Sequence, residues 1–187
     1  MSFDDPDIHL IEAFQRGDES AFATLFERHR ARVMNVAYRF LGDKDAAQDV
    51  AQEVFVKIYT SPKAYRPDMA FQAWLYRVAA NACFDELRKR KRSAIILPEE
   101  TAESVPDPAA SPQAQADSSE LAREVRSAIA FLPENQRIAV VLQRYEELSY
   151  QQIADVMKTS VAAVESLLFR AKQSLMQRLS SYVEDEH

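Results

Sequence analysis

Residues 148–171 read LSYQQIADVMKTSVAAVESLLFRA, and the fold of the chain is decided here. Ser149 followed three residues later by Gln152 is a capping box, in which hydroxyl and amide side chains each satisfy a backbone amide at the start of a helix. That helix carries Ile153, Ala154, Val156 and Met157 and is short. Lys158-Thr159-Ser160 then makes a turn with hydroxyls suited to capping, and a second helix places Val161, Val164, Leu167, Leu168, Ala171, Leu175 and Leu179 on one stripe. Two helices joined by so short a turn, with small Ala154 where they cross and Val164 and Leu167 packing back, form a helix-turn-helix pattern. The alternative left open by the pattern alone is an ordinary helical hairpin. In the first case the second helix enters a DNA major groove, and Ser160, Ala163, Ser166, Phe169, Arg170 and Lys172 face base edges, thymine methyls and phosphates. Lys158 stands where such turns often use glycine, so a left-handed backbone there strains it.

Working outward, the same periodicity predicts helices throughout. Leu121, Val125, Ala128, Ile129 and Leu132 mark one, and Pro133 opens the next, which carries Ile138, Val141, Leu142 and Tyr145. Nearer the N-terminus, a short helix is expected near 7–16. Phe22, Leu25, Phe26, Val33, Val36, Ala37 and Phe40 form a stripe stopped at Gly42, and another helix begins near Asp43 with Ala47, Val50, Val54 and Ile58 buried and Pro62 beyond its end. A further helix over 69–90 buries Phe71, Trp74, Leu75, Val78, Ala82 and Leu87. Trp74 is a conceivable wedge for an unpaired base, but its place in the stripe favours core packing. The whole chain holds only two glycines, Gly17 and Gly42, too few for a turn-rich sheet protein, so an all-α fold is expected.

Charge divides the chain. The formal net charge is −6 over 187 residues, yet 1–92 carries +1, 93–118 carries −5 with no basic residue, and 119–187 carries −2. The middle segment contains Pro98, Pro106, Pro108 and Pro112 and reads as a flexible linker between two small helical domains, 1–92 and 119–187. Such a linker lets the domains sit on separate DNA segments. A protein that binds DNA unaided shows a larger basic excess, so help from a partner is implied. Within 69–90, Arg77, Asn81, Asp85 and Arg88 share a polar face that continues into the basic run Arg88–Arg92, suited either to a DNA strand or merely to a solvated helix end.

Other chemistry finds no support. His9, His29 and His187 are scattered and Cys83 lies mid-helix, so neither a metal site nor a cofactor is expected, and no nucleophile or nucleotide loop is present to make an enzyme. No apolar run approaches the roughly 20 residues of a membrane span. One cysteine and no leader at Met1 point to a reducing cytoplasm.

Three segments in order carry a resemblance: Asp45-Ala-Ala-Gln-Asp-Val-Ala-Gln-Glu-Val-Phe55; Phe71-Gln-Ala-Trp-Leu-Tyr-Arg-Val-Ala-Ala-Asn81 with Asp85 and Arg88; and Leu148-Ser-Tyr-Gln-Gln-Ile-Ala154 through Phe169-Arg-Ala171. Together they resemble the ECF (extracytoplasmic function) sigma factors, which direct RNA polymerase to promoters. The resemblance implies that 1–92 is sigma domain 2 and 119–187 sigma domain 4. It implies that Asp49, Gln52 and Glu53 dock on the clamp helices of the polymerase β′ subunit, with the β flap a second contact. Arg77, Asn81, Asp85 and Arg88 would lie along the −10 element, and the loop from Ser61 to Asp68, with Lys63, Tyr65 and Arg66, would hold a flipped non-template base. Ser160, Ser166, Phe169, Arg170 and Lys172 would read the −35 element, with Tyr150 near the backbone. Glu165 and Leu167 replace residues that are often basic in that family. An anti-sigma factor is a further implied partner. The readings from other classes are a dimeric repressor with a ligand-sensing bundle and a polymerase-free adaptor that binds only protein.

Overall fold

The computed structural model describes residues 5–96 and 120–184; the linker expectation for 97–118 lies outside the described residues. Eight α-helices occur among them and no strand. The first four are α1 (Pro6–Gln15), α2 (Glu19–Leu41), α3 (Lys44–Thr60) and α4 (Phe71–Ile96), with a 3₁₀ turn at Pro62–Ala64. The second four are α5 (Glu120–Ala130), α6 (Glu134–Tyr145), α7 (Tyr150–Met157) and α8 (Val161–Glu184).

Local chemistry starts and stops these helices. Asp5, Asp18 and Asp43 each stand in extended backbone before a helix and accept an amide hydrogen bond inside it, and the capping box of Ser149 and Gln152 is present. The Ala46 amide hydrogen bond, against partial burial and joined by the Arg90 guanidinium, holds the Asp43 carboxyl below the usual range. Gly42 closes α2 with a φ of 73°, a left-handed residue where a side chain is disfavoured. Lys158 ends α7 at φ 52° and ψ 50°, so the strained left-handed turn is adopted by a lysine.

The first bundle wraps α1, α3 and α4 around α2, whose Val33, Val36, Ala37 and Phe40 have no exposed surface. A buried ionic cluster ties α1 to α2. Asp7 lies against the His29 Nε2 at 2.7 Å and also accepts from Arg28, and the side chains of Asp7 and His29 are 7% and 4% exposed. Burial works against the Asp7 charge, but His29 and Arg28 outweigh it and lower its pKa. Trp74 is buried in an aromatic cluster with Tyr65 and Phe71, as the apolar stripe favours. In the second bundle, where α7 packs on α8, Ala154 of α7 is buried and Val164 of α8 has no exposed surface.

One expected boundary differs. Helix α4 runs to Ile96, four residues beyond the expected domain end at 92, because arginine and lysine are good helix formers and Arg90 pairs with Glu86 one turn back. Tyr145 of α6 is 36% exposed, with the Arg39 guanidinium 4.1 Å from its ring centre. The two bundles are in contact: α6 packs on α2 and α7 on α4, and buried residues of α6 and α7 such as Ile138, Leu142 and Ile153 join one continuous apolar cluster with those of α2 and α4. Apolar stripes on both bundles are wider than either bundle alone covers, so docking removes more surface from water.

Candidate polymerase and nucleic-acid interfaces

Three exposed faces are positioned by these cores. On α3, burial of Ala46, Ala47, Val50, Val54 and Ile58 turns Asp49 outward, with Gln52 and Glu53 one turn further along the helix. The same face continues through Val56, 53% exposed, and Tyr59, 47% exposed. Sequence reasoning missed these two. A valine left in water on an otherwise acidic helix face is the signal that was available, since protein-docking patches combine apolar centres with polar rims. Tyr59 is held in place, its ring against Phe14 and Phe22 and its hydroxyl donating to Glu19 at 3.3 Å.

The second face is the loop between α3 and α4 together with the outer side of α4. Gln15 of α1 donates from Nε2 to the carbonyls of Pro62 at 2.9 Å and Tyr65 at 3.2 Å, fastening the loop from beneath. Asp5 accepts the Phe71 amide at 2.7 Å and so fixes the start of α4. Lys63 and Arg66 are thereby presented to solvent. Tyr65 is not. It is 3% exposed, its hydroxyl donates to the Met69 carbonyl at 2.9 Å, and burial, with Asp5 next, pushes the phenol up to about 12. A ring so placed holds the loop's shape and cannot touch a base without leaving the core, which corrects the expectation of a direct contact. On α4, Asn81, Asp85 and Arg88 are exposed, Arg77 is half-buried at the edge of the face, and Arg88 pairs with Asp85. Most of the basic run is also engaged: Arg90 with Asp43 at 2.8 Å and Lys91 with Glu134 of α6 at 2.6 Å. Pairs this exposed contribute little and yield readily to a phosphate.

The third face lies on α8. Ser160 precedes the helix and its hydroxyl accepts the Ala163 amide at 3.2 Å, so it acts as the cap. Ser166 donates to the Ala162 carbonyl at 2.9 Å and Arg170 Nε to the Ser166 carbonyl at 3.1 Å, which lays the guanidinium along the helix. Phe169 is 62% exposed, and with Glu165, Ser166 and Arg170 it lines a shallow depression of about 480 Å³. Tyr150, at the start of α7, and Lys172 are exposed too. No group of acidic, histidine and cysteine side chains suited to a metal occurs among the described residues, and none of their helices is long and apolar enough to cross a membrane.

Sequence reasoning also missed Arg137 and Tyr76. Arg137 donates to the carbonyls of Ala130 and Leu132 in its own bundle and of Phe40 at 2.8 Å in the other, and its guanidinium stands 5.6 Å from the Phe40 ring centre. Tyr76 has no exposed surface, and its hydroxyl donates to the Glu146 carboxylate across the same junction. Burial, reinforced by Glu146, raises its pKa. Neither residue belongs to a periodic motif that a sequence displays.

The chain matches the family description Sigma-70 region 2 over residues 25–93 and Sigma-70, region 4 over residues 122–175. It is 36% identical to the RNA polymerase sigma-H factor of Pseudomonas aeruginosa, over 94% of each chain. It is 35% identical to the ECF RNA polymerase sigma-E factor of Haemophilus influenzae, over 91% of this chain and 93% of that one. Among solved structures, CnrH in complex with the cytosolic domain of CnrY superimposes with a TM-score of 0.72 at 28% identity, over 95% of this chain and 99% of that one. A helical chain whose α3 face, α4 face and helix-turn-helix follow in this order, and more than nine tenths of which aligns with such proteins, belongs to the ECF family of RNA polymerase sigma factors, the initiation subunits that direct polymerase to promoters.

Proposed function

We propose that the α3 face of Asp49, Gln52 and Glu53, extended by Val56 and Tyr59, docks on the β′ clamp helices of core polymerase, with the β flap as a second contact. In this reading residues 1–92 act as sigma domain 2, with α4 continuing past that boundary, 93–118 as linker and 119–187 as sigma domain 4. Lys63 and Arg66 of the loop, with Arg77, Asn81, Asp85 and Arg88 of α4, engage the −10 element. Ser166, Phe169, Arg170 and Lys172 read the −35 element, Ser160 offers its capped helix start to a phosphate, and Tyr150 lies near the backbone. The chain catalyses no reaction itself. Melting is differential binding: the loop and the Asn81 face hold an extruded base better than a stacked one, offsetting a few kcal/mol of unstacking.

The observation that carries this reading is the separation of the three faces, each on its own exposed helical surface, so that polymerase and two DNA elements do not compete for one site. An anti-sigma partner is part of the proposal; the solved relative CnrH is held in complex with the cytosolic domain of CnrY. Its place of action is the cytoplasm, where core polymerase and DNA are found. Run-off transcription with purified core tests the reading. The pair Asp49→Ala and Gln52→Ala should weaken association with core about tenfold or more with an unaltered far-UV CD spectrum, and unchanged association removes the α3 assignment. Tight promoter binding without core would instead favour a repressor.

A further inference from the structure

We propose that α1 is a positioning element for promoter melting, and that Gln15 at its end holds the loop between α3 and α4 in the shape that receives an extruded base. The inference rests on the assignment of that loop to the −10 element, and it names the residue outside the loop on which the loop's shape depends.

The loop has little of its own to hold it. Between residues 61 and 68 only Tyr65 is buried, Pro62 is half-buried and the rest are exposed. Two backbone hydrogen bonds lie within it, from the Ala64 amide to the Ser61 carbonyl at 3.0 Å and from the Tyr65 amide to the Pro62 carbonyl at 3.4 Å. A segment of this kind takes its conformation from the scaffold beneath it.

Gln15 supplies that scaffold. A primary amide nitrogen carries two N–H groups, and here it donates to the Pro62 carbonyl at 2.9 Å and to the Tyr65 carbonyl at 3.2 Å. One side chain thus clamps both ends of the turn that presents Lys63 and Ala64 to solvent. Its partners also fix the direction of the amide, since the reverse would set Oε1 against two carbonyl oxygens.

The position of α1 is itself fixed from three sides. Phe14 lies with its ring centre 5.6 Å from that of Tyr59, in the last turn of α3. Asp7 is bound by His29 and Arg28 of α2, and Asp5 accepts the Phe71 amide at the start of α4. Gln15 therefore refers the loop to α2 and to both helices that flank it. Ordering bought in this way is met during folding rather than when a base is captured, which is how preorganisation strengthens binding. Loss of Gln15 leaves Lys63 and Arg66 chemically intact but no longer held in one arrangement.

Gln15→Ala removes both bonds. Gln15→Glu keeps the side chain's shape but turns acceptor oxygens toward two carbonyls, so it should do no better. In the full-length free protein, trypsin should cut after Lys63 about fivefold faster or more in both variants, with no rise in cutting after Lys57, which lies within α3. Equal rates at Lys63, or an equal rise at Lys57, overturns the proposal. With core polymerase on a duplex promoter, both variants should open the −10 region about tenfold more slowly, read by permanganate reactivity of its thymines, while core association stays within about twofold of the parent. Unchanged opening, or a parallel loss of core association, overturns it too. An abasic site placed in turn at each non-template position of the −10 element separates holding a base from merely stabilising the chain. At the position that the loop receives, parent and Gln15→Ala should open the promoter alike, whereas an undiminished difference at every position leaves Gln15 a structural role only and overturns the proposal. A parent indifferent to abasic sites throughout the element would remove the assignment of the loop to an extruded base, and the proposal with it; the parent's behaviour alone distinguishes that outcome from a failure of Gln15.

Discussion

Replacing Arg137 with alanine removes a side chain that serves three carbonyls at once, those of Ala130, Leu132 and Phe40. A hydrogen bond from a charged donor contributes about 1.5–3 kcal/mol net, so three at the lower value come to roughly 4–5 kcal/mol. Against this, the wild-type guanidinium is itself partly buried, its Nε has no partner, and burial lowers its pKa despite the nearby Glu134 carboxylate. Relief of that desolvation returns about 1–2 kcal/mol, leaving an expected loss of about 3 kcal/mol. Two of the three carbonyls lie in the second bundle, so the loss should appear there first. Urea unfolding followed by far-UV CD is the assay. With a slope near 2 kcal/mol per molar, the midpoint should fall by about 1.5 M. Arg137→Lys provides the control, since an ammonium reaches one carbonyl but not three and should recover about a third of the loss. A midpoint within about 0.3 M of the parent for Arg137→Ala would refute the reasoning, because it would mean water replaces all three bonds without cost.

Further outcomes follow from other residues. Lys158→Gly should raise stability by about 0.5–1 kcal/mol: relief of left-handed strain at φ 52° exceeds the entropy that glycine adds to the unfolded chain, and a lowered urea midpoint would contradict it. Asp7 has a folded pKa below its unfolded value of about 3.9, so its contribution is fully present above that pH and is lost as pH falls through the folded value. Stability of the parent should therefore fall below about pH 4, and Asp7→Asn should flatten that limb while lowering stability at neutral pH by about 2–3 kcal/mol; an unchanged acid limb sinks the assignment. Phe169→Ala removes an exposed ring and no core contact, so it should leave thermal unfolding within about 1 °C while reducing transcription from a −35-dependent promoter by roughly tenfold. Equal transcription would take Phe169 out of the DNA-reading face.

Much of the candidate site was legible because its positions obey a local period. Asp49, Gln52 and Glu53 face outward because Val50 and Val54 face inward, and Ser166, Phe169 and Arg170 are exposed because Val164, Leu168 and Ala171 are turned toward the core. Tyr65 was misread for the converse reason. A loop has no period, and whether a tyrosine there points to solvent or to Met69 and Trp74 depends on helices far away in the chain. Val56 and Tyr59 went unnoticed because an apolar residue is taken for core until the surface it meets is known.

By itself, then, the sequence determined the all-α class, the start or the end of several helices, the helix-turn-helix and the order of the three motifs. Those features rest on contacts three or four residues apart and on caps that act within one turn. Only the tertiary structure decided that the two bundles lie against each other, that Arg137 caps the end of a helix 97 residues away, and that Asp7 and His29 are buried together. Such pairings come from the match of whole surfaces, in which burial of apolar area and the pairing of stranded polar groups are summed over residues remote in the chain, and no local pattern encodes that sum.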